Sequence, residues 1–280
     1  MAGVDEVLGR ALALGEEGRW QEMAGLLAEA LNEAPDDPYL LCWLGVAERE
    51  LGNDGAAYDY FRRCVEQDPL DPMLLATAGS GLAAFDDPDA ESALRAAALT
   101  GPDVPMARLQ YGAYLARSGL FDEALEHLRA AVELAKDDPT THGELATALA
   151  LKGDLEAAAE AMERALELAP DDAWSRLLLG LILAELDSLE EAAEALIQAA
   201  DELEGDAEAF VLAALAAAAV GWDDAAHDAI ARAGTVAEDV EAELVEEAED
   251  RIVAGPKAAR AMLRNTVGPS ALRERLTEPL

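Results

Sequence analysis

Small residues return along the chain at a fixed interval. Ala11, Gly45, Gly79, Gly112, Ala146, Gly180 and Ala214 form one series, with steps of 34, 34, 33, 34, 34 and 34 residues. A second runs Ala30, Cys64, Ala97, Ala131, Ala165, Ala199 and Ala233, and a third runs Met23, Ala57, Ala90, Ala124, Ala158, Ala192 and Ala226. Both keep the same period and the same single short step. Bulky apolar residues accompany them: Leu44, Tyr111, Leu145 and Leu179 beside the first series, and Phe61, Leu94, Leu128, Met162, Leu196 and Ile230 between the other two. This pattern predicts two antiparallel helices per period, crossing so closely that Gly or Ala must stand at the crossing.

The polar positions mark where those helices stop. Gly18, Gly52, Gly119, Gly153 and Gly221 fall between the two helices of a period, with Asp187 taking that place in one of them. Glycine there ends a helix in the left-handed conformation without a Cβ penalty. Periods are joined by Pro35–Pro38, Asp68–Pro72, Lys136–Pro139 and Pro170–Asp172, where proline starts the next helix and Asp caps it. The short step comes from the segment 83–89, where one residue is missing; a tighter turn is expected there.

These residues resemble the tetratricopeptide repeat family over residues 4 to about 240. Small residues sit at positions 8, 20 and 27 of each repeat, and proline at position 32 is replaced by Lys136, Glu204 and Glu238 in three of them. The resemblance implies an all-α, right-handed superhelical solenoid of about seven repeats, at 4–37, 38–71, 72–104, 105–138, 139–172, 173–206 and 207–240. A degenerate eighth repeat or cap is expected over 241–265, with Leu244, Val245 and Ala248 as the apolar face of its first helix, and a basic tail over 266–280.

The resemblance also implies where a partner would lie. In this family the first helices line a concave groove, chiefly through repeat positions 2, 5, 9, 12 and 13. Those positions give Tyr39, Cys42, Val46 and Arg49, with Trp43 adjacent; Met73; Met106, Leu109 and Arg117; Trp174, Leu177 and Leu181; and Val211 and Leu215. Such a groove is apolar with aromatic and Met anchors, and it lacks the Lys and Asn of the groove that grips acidic C-terminal peptides. If it binds a partner, Trp174→Ala or Leu177→Glu should abolish capture and leave helicity intact.

Composition narrows the chemistry. Alanine and leucine dominate and aromatics make up 5% of the residues, so strands are not expected. The net charge of −38 disfavours nucleic acid, whose phosphates need clustered Lys and Arg. The charge is uneven: residues 251–280 carry +4 and the remainder −42. Such a sign reversal could dock the tail on the protein's own acidic surface or a neighbouring copy's, although a capping helix over 257–265 with a frayed, solvated tail is the expectation.

Cys42 and Cys64 are too few for a zinc site or a disulfide framework, and His127, His142 and His227 share no metal-binding spacing. No phosphate loop or catalytic motif is present, and no apolar stretch is long enough to span a bilayer. The N-terminus lacks the features of a signal peptide, so a cytoplasmic location is expected. The sequence therefore reads as a non-catalytic scaffold without a cofactor, binding a peptide or amphipathic helix whose flanks are basic. The alternative is a self-assembling homo-oligomer that uses its end repeats and basic tail.

Overall fold

A computed structural model describes residues 3–277, and it divides into two compact units, Met1–Ala135 and Lys136–Leu280. In the first unit the helices are α1 (Val4–Glu16), α2 (Trp20–Leu31), α3 (Pro38–Glu50), α4 (Asp54–Glu66), α5 (Pro72–Ala83), α6 (Ala90–Thr100), α7 (Pro105–Arg117) and α8 (Phe121–Leu134). In the second they are α9 (Pro139–Lys152), α10 (Leu155–Leu168), α11 (Ala173–Glu185), α12 (Leu189–Glu202), α13 (Ala207–Ala219), α14 (Asp223–Val236) and α15 (Ala242–Val253). These are followed by α16 (Pro256–Met262), a π-helical turn (Leu263–Val267) and α17 (Gly268–Thr277). Among the described residues there is no strand.

The first helix of each pair starts where the sequence makes it start. Pro38, Pro72, Pro105 and Pro139 occupy the first turn, where a missing N–H costs nothing. Asp37 accepts hydrogen bonds from the amides of Tyr39 and Leu40, at 3.0 and 3.1 Å. Asp71, Asp138, Asp172 and Asp206 cap α5, α9, α11 and α13 in the same way. Each such cap contributes about 1 kcal/mol and places a carboxylate at the positive end of the helix dipole.

Within a pair, the small residue of one helix receives the bulky residue of the next. A Cβ on Gly45 would lie 2.8 Å from the ring of Phe61; on Gly79, 2.9 Å from Leu94; on Gly112, 2.7 Å from Leu128; and on Gly180, 2.7 Å from Leu196. In the first unit a Cβ on Gly81 would come within 2.3 Å of the same Phe61 ring. The fully buried ring is therefore wedged between Gly45 on α3 and Gly81 on α5. The ladder reveals the first contact and not the second, because Gly81 lies outside the repeating positions.

Each second helix packs on the next first helix, as α2 on α3, α4 on α5 and α6 on α7 in the first unit, and α10 on α11, α12 on α13 and α14 on α15 in the second. The turn glycines adopt φ between 70° and 89°, and Asp187 adopts φ 67° in their place. Asp86, at the equivalent point of α5–α6, has φ 54°. The turn shortened by one residue follows it. Asp87 accepts from the Tyr58 hydroxyl at 2.7 Å and from the Asp89 amide at 2.8 Å, and Tyr58 meets Phe85 edge to face at 5.3 Å. The tight turn is thus tied back onto α4.

Candidate functional site

In the first unit, first helices also pack side by side, α3 on α5 and α5 on α7. Tyr39, Met73 and Met106 occupy the second residue of these three successive helices, and they are 39%, 39% and 37% exposed. Their order has a local cause. Side chains on a helix lean toward its N-terminus, so the second residue projects past the open end, where there is no preceding turn to pack on. The Tyr39 hydroxyl donates to Asp71 at 2.8 Å, and this bond holds the tyrosine proton, raising its pKa. The same carboxyl group caps α5, so one aspartate orients both Tyr39 and the helix that carries Met73. Gln110 donates to the Met106 sulfur at 3.5 Å.

The other candidates of this unit lie deeper. Cys42 and Leu109 are buried, Trp43, Val46 and Arg117 are half-buried, and Arg49 is exposed beside Glu50. Cys42 is 0% exposed, and the neighbouring Cys64 together with burial pushes its thiol well above the ordinary range. Its position in the repeat points to the groove, but the thiol sits in the core.

In the second unit the equivalent face is covered by the chain itself. The segment α16–π-turn–α17 lies across α13 and α11 and reaches α9. Its buried residues Ala259, Met262, Leu263, Val267, Ala271, Leu272 and Leu276 form one apolar stripe. Beneath it, Leu177, Leu181, Val211 and Leu215 are at most 1% exposed. These four candidates are core residues in this structure, so Leu177→Glu would test stability rather than partner capture. Trp174, 55% exposed, remains at the surface.

The helical segment is held by charge as well as by apolar burial. Arg260 donates to both carboxylate oxygens of Asp187, at 2.6 and 2.7 Å. Arg264 pairs with Asp187 at 3.0 Å and donates to the Glu185 carbonyl at 3.0 Å. Arg275, whose side chain is 13% exposed, pairs with Glu208 at 2.7 Å and lies 3.9 Å from Asp206. The capping helix is expected as far as residue 265; beyond it, where a frayed tail is expected, the chain continues as a docked helix to Thr277, and residues 278–280 lie outside the described residues. The cause is the charge asymmetry read from the sequence, joined to an apolar stripe that water would not hold.

Two local features shape this segment. Gly255, at φ 104°, turns the chain out of α15. Pro269 cannot donate a backbone hydrogen bond, and the helix widens just before it: the Gly268 amide bonds to the Leu263 carbonyl five residues back. A cavity of about 350 Å³ remains beside the end of α17, lined by Thr140, Gly143, Thr147, Met162, Trp174, Leu178 and Arg275 among others.

The histidines fall into separate settings. His127 stacks edge to face on Tyr111 at 4.9 Å and lies 3.2 Å from Arg108. Burial, with the nearby Arg108 charge, lowers its pKa. His142 and His227 bond to the backbone carbonyls of Lys136 and Asp223. Among the described residues no three His, Cys, Asp or Glu side chains gather as a metal site, and no helix is long and apolar enough to cross a membrane.

Profiles described as tetratricopeptide repeat match residues 105–148 in one case and residues 8–72 and 144–208 in another. No curated protein sequence matches. Among solved structures the chain is similar to a chain of the APC/C hetero-tetramer Cut9–Hcn1, with a TM-score of 0.71 at 20% identity. That likeness covers 88% of this chain and 49% of that one, so this chain spans about half the length of that relative. It is similar to TTC0263, a thermophilic TPR protein of Thermus thermophilus, at 28% identity and TM-score 0.53, over 64% of this chain and 98% of the other. It is also similar to PilW, a type IV pilus biogenesis factor, at 20% identity and TM-score 0.61, over 71% and 94% of the two chains. The ladder of small residues packs as its period demands, and repeat profiles cover more than half of the sequence: the chain belongs to the tetratricopeptide repeat family.

Proposed function

We propose that this chain is a protein-interaction scaffold whose first unit captures an amphipathic segment of a partner protein along the row Tyr39, Met73 and Met106. One observation carries the reading: three large apolar side chains stand exposed at the same place on three adjacent helices. Exposed aromatic and Met residues in register supply binding energy at recognition surfaces, and Met adapts its shape to its ligand. Carboxylates flank the row, with Asp37 and Asp71 at the starts of α3 and α5, so basic flanks on the partner are favoured and association weakens with salt. Family membership supports the scaffold role in general, and the row gives it a location.

The test places a photo-crosslinking residue at Met73 or Met106 in the full chain and sequences the peptide that is captured. The reading expects one recurrent apolar segment with Lys or Arg at its ends. It further expects Met73→Glu together with Met106→Glu to abolish capture at unchanged helicity. Undiminished capture by that double variant would remove the row as the site.

A further inference from the structure

The repeats of the second unit depart from their own pattern at the places where the C-terminal helix is held. The turn inside a repeat carries glycine at Gly18, Gly52, Gly119, Gly153 and Gly221 and aspartate at Asp86 and Asp187, both in the left-handed conformation that L side chains rarely adopt. Asp187 is the carboxylate that takes Arg260 and Arg264. The second residue of α3, α5, α7 and α11 is Tyr, Met, Met and Trp, and in α1 and α9 it is Asp5 and Thr140; in α13 it is Glu208, which takes Arg275. The facing positions of α11 and α13 also enlarge to Leu and Val where α5 has Ala76 and Ser80. The face thus presents carboxylates as well as apolar side chains to the helix that covers it.

We propose that the α11–α13 face is a receptor for an arginine-bearing amphipathic helix of a partner protein, and that residues 256–277 are its resident mimic, displaced when such a helix competes. The ligand chemistry follows from the mimic. It is a helix with an apolar stripe, two arginines one turn apart to share Asp187, and a third arginine about three turns further on for Glu208.

The N-terminal end of the mimic is the end held most openly. The Arg260–Asp187 pair is exposed, with side chains 47% and 42% accessible, and such pairs hold weakly; the Arg264 pair is partly exposed. The π-turn widens the middle of the helix, where its hydrogen-bond ladder is weaker than that of a regular α-helix. Gly255 supplies the hinge on which the whole segment leaves. This proposal stands on the second unit alone and does not depend on the Met73–Met106 row.

The test titrates a fluorescent synthetic peptide of residues 256–277 into the full-length chain by anisotropy. Wild type binds it weakly, because the tethered copy acts at roughly millimolar effective concentration. Arg260→Glu with Arg264→Glu weakens the tethered copy at two accessible side chains, and affinity for the wild-type peptide rises at least about tenfold. Adding Asp187→Arg to that chain re-forms the pairs with reversed signs, and the gain disappears. On the wild-type chain, hydrogen exchange of residues 256–277 runs ahead of exchange in α9–α14. No gain of binding in the Arg260/Arg264 variant would overturn the proposal, as would exchange of 256–277 only in step with α9–α14. Binding that survives Asp187→Arg but falls with Met106→Glu would move the peptide to the first unit, with the same consequence.

Discussion

The two units use the same helix pair to opposite ends. In the first unit, the first helices keep mostly small or half-buried residues at the middle of this face, with the buried Leu109 the exception, and expose large ones, Tyr39, Met73 and Met106, at their N-terminal ends. In the second unit the middle of that face is large and apolar, Leu177, Leu181, Val211 and Leu215, and the chain covers it with its own C-terminal helix. The contrast shows that a repeat position does not by itself define a ligand contact. A residue at the fifth or ninth position is a surface residue, a core residue or a covered one, according to its volume and to what lies above it.

The largest expected effect separates the units by a single substitution in each. Leu177→Glu puts an unpaired charge where exposure is 0% and should destabilise the second unit by at least about 4 kcal/mol. Met73→Glu, made at an exposed site, should change stability by no more than about 0.5 kcal/mol while weakening partner capture. Urea unfolding of the two variants checks both; equal losses would erase the distinction.

Next in size is the cover itself. Leu263 is fully buried in the π-turn, and Leu263→Ala should cost about 2–5 kcal/mol, seen as a lower urea midpoint and faster exchange in α13 and α16. Glu208→Gln should cost about 1–3 kcal/mol, because Arg275 is left largely buried with Asp206 only at 3.9 Å. Thermal melts at two salt concentrations test it: a mostly buried pair keeps most of its contribution at high salt, whereas an exposed pair does not.

The smallest effect belongs to the first unit. His127 has a pKa held below its ordinary value by burial and then by Arg108. The folded state therefore binds its proton less readily than the unfolded chain does. The stability this gives is present above the unfolded value near 6.5 and is lost as pH falls through the lowered folded value. His127→Gln should flatten the fall that sets in as pH drops below the unfolded value near 6.5, and differential melting of wild type and variant measures it.

Much of the fold was legible because close packing leaves a periodic trace. Gly45, Gly79, Gly112 and Gly180 recur since a Cβ at each would strike the bulky residue of the paired helix, and this requirement returns with every repeat. The contact of Gly81 with Phe61 occurs at one place, so no period announces it. The same distinction applies to the sites. Tyr39, Met73 and Met106 follow from repeat position, and Trp174 does as well. The docking of Arg260 on Asp187 joins residues 73 apart in the chain through a hinge that only the folded backbone defines. One signal was nevertheless present: a basic segment with an apolar stripe in an acidic protein. Alone it reads as a minor exception, and its meaning depends on the face it is brought against.

The arginine-bearing helix has one more consequence. An anionic surface gathers sodium or potassium from the surrounding solution, and that cloud thins or thickens with the medium. Over α11 and α13 part of the cloud is replaced by Arg260, Arg264 and Arg275, cations fixed in place by peptide bonds. Dilution cannot remove them, and concentrated salt competes with them only where the pairs are open to water. This face therefore carries its own counterions, whereas the carboxylates beside Tyr39 and Met73 must borrow theirs from the cell or from whatever binds there.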